Sequence, residues 1–246
     1  MAQQRGDPMR VEARAGIELA QLQASSMFYG RGVPRGDGRP VVVLPGLFGN
    51  DVYLTPLRSW LRRIGYRPIA SSLRINAGCP NRLRQEVERP IDAALERHEG
   101  PIALIGHSRG GMLAWAIAAR LQVQVSHLAL LGSPAPAVVA MFRSRSPLAP
   151  HTVARSSVAK AGAQAMKLFD PDCNVPDCGC PYPDDIRRPL HPDTKVLSII
   201  STDDPIVPPR ASQIWNGENI EVTGSHSGLA HNRAAYPHLA RFLADR

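Results

Sequence analysis

The chain has 246 residues, of which 43% are hydrophobic and 20% charged, a composition typical of a soluble globular protein that buries a substantial core as one large α/β domain. No run of 18 apolar residues occurs, which excludes a transmembrane helix in the chain as given. The net charge is +8, but the arginines are scattered and only 5% of the residues are aromatic, so the composition does not favour nucleic-acid binding.

The first 38 residues differ in character from the rest of the chain. Residues 1–38 are predicted to form an N-terminal leader segment, with a short amphipathic helix near 16–25 and a Gly/Pro-rich link at 30–40. The main domain is predicted at 39–246. The first residues lack the apolar core of a secretory signal, so we expect a cytoplasmic protein, with a mature secreted or periplasmic form as the alternative.

Predicted strands and helices alternate along the main domain. Apolar runs rich in β-branched residues predict strands at 40–44, 66–71, 101–105, 125–131, 195–201 and 220–222. Apolar residues at helical spacing predict helices at 55–64, 81–98, 112–121 and 234–244. This alternation predicts an α/β fold in which helices cover both faces of a mostly parallel central sheet.

A serine lies at the turn between the 101–105 strand and the helix that follows. Gly106 and Gly110 flank Ser108 in the pattern Gly-x-Ser-x-Gly, and Gly111 follows. Such a turn holds the serine in a strained backbone conformation with its hydroxyl above the end of the sheet, and a side chain at either glycine would collide with the turn. We therefore predict that Ser108 is a nucleophile, with an ordinary glycine-rich turn as the alternative.

The interval between residues 133 and 195 contains no predicted strand. An insertion here would emerge at the sheet edge where the serine projects, so we interpret residues 134–193 as a short cap over the site. Ordinary helical connections that pack on the rim of the sheet are the alternative. Four apolar cap residues are predicted to contact substrate: Val138, Val139, Met141 and Phe142.

Three cysteines fall within the predicted cap. Cys173, Cys178 and Cys180 lie in a stretch rich in proline and aspartate, whereas Cys79 stands apart. Their spacing matches none of the common zinc patterns, and His191 would be the nearest fourth ligand, so we predict no metal site. A disulfide within the cluster, which would require an oxidising compartment, and reduced surface thiols both stay open.

A serine hydroxyl is a good nucleophile only when a base removes its proton and a third group orients that base. Two aspartates follow the 195–201 strand, at the sheet edge that also bears the serine. Asp204 is preferred over Asp203 as the orienting acid, because Pro205 fixes the turn beyond it and Ile206 and Val207 can anchor that turn to the core.

The base is expected in the loop after the last strand. His226 follows that strand closely, and Gly224 and Gly228 permit a tight loop that would bring its imidazole to the serine. His231 is the rival, although it fits the start of the final helix better. His107, inside the serine turn, is expected to pack beneath the nucleophile.

Acyl transfer also requires N–H donors that receive the developing oxyanion. Arg109, the residue after the nucleophile, would supply one from the positive N-terminus of its helix. Leu47 would supply the second, because Gly46 and Gly49 let the loop after the first strand turn inward. Phe48 is the alternative donor and a predicted substrate contact.

With these motifs, the chain resembles the α/β-hydrolase superfamily, in particular its small bacterial lipase- and carboxylesterase-like members. The resemblance runs from about residue 40 to the C-terminus and rests on segments 44–49, 106–111, 204–208 and 224–228. It implies a cofactor-independent serine hydrolase that cleaves small ester or lipid substrates through a Ser-His-Asp triad and an acyl-enzyme. An acyltransferase or thioesterase with the same triad, and a non-catalytic lipid- or partner-binding module, are the alternatives.

Overall fold

In the computed structural model, which describes residues 7–136 and 180–245, six parallel strands form one sheet in the order β2-β1-β3-β4-β5-β6. The strands are β1 (Pro40–Leu44), β2 (Arg67–Ala70), β3 (Ile102–His107), β4 (Val125–Leu131), β5 (Lys195–Ser201) and β6 (Glu218–Val222). The helices are α1 (Pro8–Glu12), α2 (Ala15–Gln23), α3 (Thr55–Arg63), α4 (Pro80–Leu95), α5 (Arg109–Leu121), α6 (Tyr182–Arg187) and α7 (Ala235–Ala244).

Two apolar layers enclose the sheet, as predicted for parallel strands that are buried on both faces. Successive side chains of β1 alternate between these layers: Val41 and Val43 belong to one, and Val42 and Leu44 to the other. Residues of α2, α3 and α7 cover the first face, whereas residues of α4, α5 and α6 cover the second. The predicted fold class is therefore confirmed.

The predicted strands agree with the observed ones to within about two residues. The difference that matters for the site is at β3, which continues two residues beyond its predicted end, to His107. Ser108 therefore follows the last residue of the strand directly, and α5 begins at the next residue.

Helix α6 follows Cys180 closely in the chain and packs against α4 and α5. Asp185 of α6 is 1% exposed and lies 3.3 Å from Arg120 and 3.8 Å from Arg84. This buried charge cluster fixes the end of the segment predicted as a cap. Residues 137–179, which make up most of that segment, lie outside the described residues.

The segment predicted as a leader contains α1, α2 and a 3₁₀ turn at Ser26–Tyr29. Leu22 and Phe28 of this segment are buried in the same apolar layer as α3 and α7. Within residues 7–136 and 180–245, no helix is both long and apolar enough to cross a lipid bilayer.

Candidate active site

Ser108 lies in a backbone conformation that side chains rarely adopt, with φ of 52° and ψ of −122°. Strain of this kind costs about 1–3 kcal/mol and persists only where the surrounding structure enforces it. The N–H of Ser108 donates to the carbonyl oxygen of Leu131 in the neighbouring strand β4, at 2.8 Å. This bond and the start of α5 hold the serine at the carboxyl edge of the sheet.

The space around Ser108 leaves no room for a side chain at Gly106 or Gly110. A Cβ atom at Gly106 would lie 2.3 Å from the Cα of Gly111, and one at Gly110 would lie 2.4 Å from the carbonyl oxygen of Pro45. Both distances are too short for any side chain. The collision that the sequence pattern predicts is therefore present on both sides of the serine.

Ser108, His226 and Asp204 form a continuous chain of hydrogen bonds. The Oγ of Ser108 lies 2.8 Å from Nε2 of His226, and Nδ1 of His226 lies 2.6 Å from Oδ2 of Asp204. The side chains of His226 and Asp204 are only 6% and 2% exposed. Because a carboxylate only accepts, Nδ1 bears the imidazole proton and Nε2 is left to accept the serine proton.

Asp204 is fixed by its own turn. Its Oδ1 accepts the N–H groups of Ile206 and Val207, both at 2.8 Å, which leaves Oδ2 for the imidazole. Val207 is buried, so the turn is anchored in the core as the sequence suggests. Asp203 instead faces the surface, where it pairs with Arg14 at 3.5 Å.

The loop after β1 distinguishes the two predicted oxyanion donors. The N–H of Phe48 donates to the carbonyl oxygen of Asn76 at 3.1 Å, and the N–H of Leu47 donates no hydrogen bond to the residues that the structure describes. Gly46 lies against the serine turn, since a Cβ there would be 3.3 Å from the Cβ of Ser108. The arrangement therefore favours Leu47 over Phe48.

The side chain of Arg109 makes contacts that no sequence pattern predicts. Its guanidinium donates to the backbone and side-chain oxygens of Asn76, at 3.0 and 2.8 Å, and to the carbonyl oxygen of Gly78 at 2.7 Å. Asn76 is fully buried, and its Nδ2 donates to the carbonyl oxygen of Pro45 at 2.6 Å. Arg109 therefore connects the serine helix to the loop that bears Leu47.

Two further histidines near the site, His107 and His231, have structural partners in the described part of the chain. The Nε2 of His107 lies 2.9 Å from the carbonyl oxygen of His226, and Nε2 of His231 lies 2.9 Å from the carbonyl oxygen of Tyr53. Burial, followed by the neighbouring His226, lowers the pKa of His107 to about 3, so this side chain is neutral near pH 7. Neither of these Nε2 atoms is bonded to the serine oxygen, and the ring of His107 lies 5.1 Å from that of His226.

Two glutamates of the N-terminal segment contact the loop that bears His226. Glu12 accepts the N–H groups of His226 and Ser227, and Glu18 accepts the N–H and hydroxyl groups of Ser225. More than 200 residues separate each glutamate from its partners. No local sequence signal marks these contacts, so they could not be predicted from the sequence.

The predicted substrate contacts fall mostly on undescribed parts of the chain. Phe48 is described and is 37% exposed. The other four, Val138, Val139, Met141 and Phe142, lie outside the described residues, as do Cys173 and Cys178. Among the residues with described positions, no three His, Cys, Asp or Glu side chains gather as metal ligands would.

Sequence comparison connects part of the chain to one family. The model of the thioesterase domain family matches residues 65–164. This range is less than half of the chain; it includes Ser108 and ends before Asp204 and His226. No curated protein sequence matches the chain.

Structural comparison extends over most of the chain. An alpha/beta superfamily hydrolase from Oenococcus oeni PSU-1 is 19% identical, with a TM-score of 0.56 over 85% of this chain and 92% of that one. A structure from work on carboxylesterases of Nitrososphaera gargenis is 17% identical, with the same TM-score and coverage. A lipase-esterase related protein from Clostridium acetobutylicum ATCC 824 is 14% identical, with a TM-score of 0.51 over 85% and 98% of the two chains. The sheet, the serine turn and these similarities show that the chain has the α/β-hydrolase fold.

Proposed function

We propose that this chain is a serine hydrolase that cleaves carboxylic esters through an acyl-enzyme intermediate. The observation that carries the proposal is the hydrogen-bonded series Ser108–His226–Asp204, with contacts of 2.8 and 2.6 Å, on a strained strand-to-helix turn. A nucleophile, a base and an orienting acid in this geometry are what acyl transfer requires.

The first half of the reaction forms the acyl-enzyme. Oγ of Ser108 attacks the carbonyl carbon while Nε2 of His226 takes the hydroxyl proton, and the negatively charged Asp204 stabilises the resulting imidazolium. The N–H groups of Leu47 and Arg109 would donate to the oxyanion, which is worth about 2.7–4 kcal/mol per donor in the chemical step. The tetrahedral intermediate then collapses, and His226 returns the proton to the leaving alcohol.

The second half releases the acid. Water attacks the acyl carbon, gives its proton to Nε2 of His226 and forms a second tetrahedral intermediate at the same oxyanion donors. Collapse of that intermediate breaks the bond to Oγ, and the serine recovers its proton. Apart from the water consumed in the second half, both halves use only groups of the protein and the substrate.

Thioester cleavage is the second candidate, favoured by the match of residues 65–164 to the thioesterase domain family. The same triad attacks oxygen esters and thioesters, so the two functions differ in the leaving group that the site accepts. Transfer of the acyl group to an alcohol or amine instead of water would use the same acyl-enzyme. We propose that the cap predicted at 134–193 determines this choice and the preferred acyl length.

The test compares oxygen esters and thioesters that share the same acyl group, over a series of acyl lengths, with Ser108→Ala as the control. Our proposal predicts turnover of the oxygen esters by the wild type and a loss on the order of 10³-fold or more in the variant. Cleavage of thioesters alone would assign the second candidate, and product analysis with an added alcohol would detect acyl transfer. Undiminished activity of Ser108→Ala would contradict all three.

A further inference from the structure

The loop that bears His226 is held from outside by the N-terminal helices. Glu12 is the last residue of α1, and Glu18 lies in the first turn of α2. Both side chains are half-buried, and both reach the segment 225–228. The connection joins the N-terminal helices to the loop that bears the residue proposed as the catalytic base.

Glu12 spans two consecutive amides. One carboxylate oxygen accepts the N–H of His226 at 2.7 Å, and the other accepts the N–H of Ser227 at 2.9 Å. Hydrogen bonds to an ionised acceptor are shorter and stronger than neutral ones. The carboxylate therefore fixes the peptide plane on each side of His226.

Glu18 occupies a space that two glycines leave open. Its oxygens accept the N–H of Ser225 at 2.7 Å and the hydroxyl of Ser225 at 2.6 Å. A Cβ atom at Gly228 would lie 1.5 Å from Oε2 of Glu18, and one at Gly224 would lie 2.9 Å from Oε1. The glycines that flank the base thus make room for this carboxylate, in addition to permitting the loop to turn.

Tyr53 completes the enclosure of the loop. Its hydroxyl donates to the carbonyl oxygen of Ser227. Burial raises the pKa of Tyr53 well above its usual value, and the negative charges of Glu12 and Glu18 raise it further. Tyr53 therefore keeps its proton and stays a donor at neutral pH.

Each nitrogen and oxygen atom of His226 has a hydrogen-bond partner. Its N–H donates to Glu12, its carbonyl oxygen faces Nε2 of His107, and its ring nitrogens face Asp204 and Ser108. The ring contacts belong to the triad itself. The backbone contacts determine where the ring lies, and Glu12 supplies one of them with a full negative charge.

We propose that Glu12 and Glu18 are positioning residues that hold the 225–228 loop so that the imidazole of His226 lies within reach of Ser108. This inference rests on the proposed function, since it assigns a role in the same reaction. Neither glutamate touches the reacting atoms. Their effect is expected in the rate of the chemical step, because small displacements of a catalytic group have large kinetic costs.

The test uses the full chain with Glu12→Gln and Glu18→Gln, separately and together. Glutamine has the size of glutamate but carries no charge. Its NH₂ group would face an N–H or hydroxyl donor of the 225–228 loop and could not accept a hydrogen bond from it. Each single variant is expected to lower kcat about tenfold, with KM changed less than about twofold, at a temperature well below the melting points of all variants. Glu96→Gln is the matched control, because Glu96 is exposed beyond the end of α4 and should leave both constants unchanged.

A spectroscopic readout separates positioning from general stability. The Nδ1 proton of His226, held 2.6 Å from Asp204, should give a downfield proton resonance that shifts or broadens in the glutamine variants and stays in place in Glu96→Gln. Lower melting points with unchanged kcat and an unchanged resonance would overturn the inference and leave the proposed function intact. If the wild type fails to cleave any ester, the proposed function fails, and an unchanged resonance would then still overturn the positioning role. If the double variant does not fold, the single variants still test the inference, because each of them keeps one of the two glutamates.

Discussion

Asp203 and Asp204 are adjacent in the chain, yet their carboxylates lie in different environments. Asp204 is buried and lies 2.6 Å from the imidazole of His226, whereas Asp203 is 38% exposed and lies 3.5 Å from Arg14. The turn that follows makes this difference, since the N–H groups of Ile206 and Val207 direct one carboxylate inward. The two residues form a natural matched pair.

We expect Asp204→Asn to lower kcat on the order of 10³- to 10⁴-fold, because an amide NH₂ facing Nδ1 favours the imidazole tautomer that cannot accept the serine proton. Asp203→Asn should change kcat less than about twofold, since exposed ion pairs contribute little. Steady-state kinetics with one ester measure both. If Asp203→Asn is the inactive variant, the acid assignment is wrong.

The guanidinium of Arg109 should matter through the loop that it holds. Arg109→Met removes the guanidinium bonds to Asn76 and Gly78 and so loosens the segment on which the Leu47 loop rests, and kcat should fall about tenfold with little change in KM. Arg97→Met, an exposed position at the opposite edge of the sheet, is the control. Equal kcat values for these two variants would show that the hydrogen bonds of the Arg109 guanidinium have no effect on catalysis.

Gly132 lies beneath the acid and the base. Its φ is 56°, and a Cβ there would lie 3.3 Å from Oδ2 of Asp204 and 3.4 Å from Nδ1 of His226. Gly132→Ala should therefore lower the free energy of unfolding by about 1–2 kcal/mol and reduce kcat as well. Gly16→Ala in α2, where an added Cβ would meet no described atom beyond the local helix backbone within 4 Å, should stabilise by up to about 1 kcal/mol. Denaturant titration of both variants measures the contrast, and equal destabilisation would contradict it.

Buried histidines should make the fold sensitive to acid. Burial is the main cause that lowers the pKa of His107 from 6.5 to about 3 and that of His127 to about 4. Between those pKa values and pH 6.5, the two histidines are protonated in the unfolded chain but neutral in the folded chain. The free energy of unfolding should therefore fall as the pH falls below 6.5, by up to about 1.4 kcal/mol per pH unit for each histidine.

His107→Gln isolates one of these contributions, because a glutamine amide can still donate to the carbonyl oxygen of His226. Denaturant titrations at several pH values between 7 and 4.5 should give a shallower decline for the variant than for the wild type. Identical declines would show that His107 does not titrate as its burial implies.

The fold and the three central residues could be predicted from the sequence, because each pattern that indicates them is local. A strand that runs into a glycine-flanked serine, and an aspartate and a histidine that each follow a strand, all belong to the carboxyl edge of a parallel sheet. The structure brings Ser108, Asp204 and His226 together at that edge. The choice of Asp204 over Asp203 also followed locally, from the residues of its turn.

The remaining contacts depend on chain segments that meet only in the folded molecule. Glu12 lies 214 residues from His226, and nothing near either residue indicates the pairing. Similarly, the sequence predicts a role for the N–H of Arg109, but the direction of its side chain depends on the loop that contains Asn76. Polar contacts of this kind have no periodicity that a sequence pattern could show.

Labelling with a fluorophosphonate probe examines the nucleophile itself, because the probe reacts covalently with a serine activated by a neighbouring base. We expect one adduct per chain, found by peptide mass spectrometry on Ser108, with no labelling of Ser108→Ala and much slower labelling of His226→Ala. Failure of the folded wild type to react, or an adduct on a different serine, would contradict the proposed function.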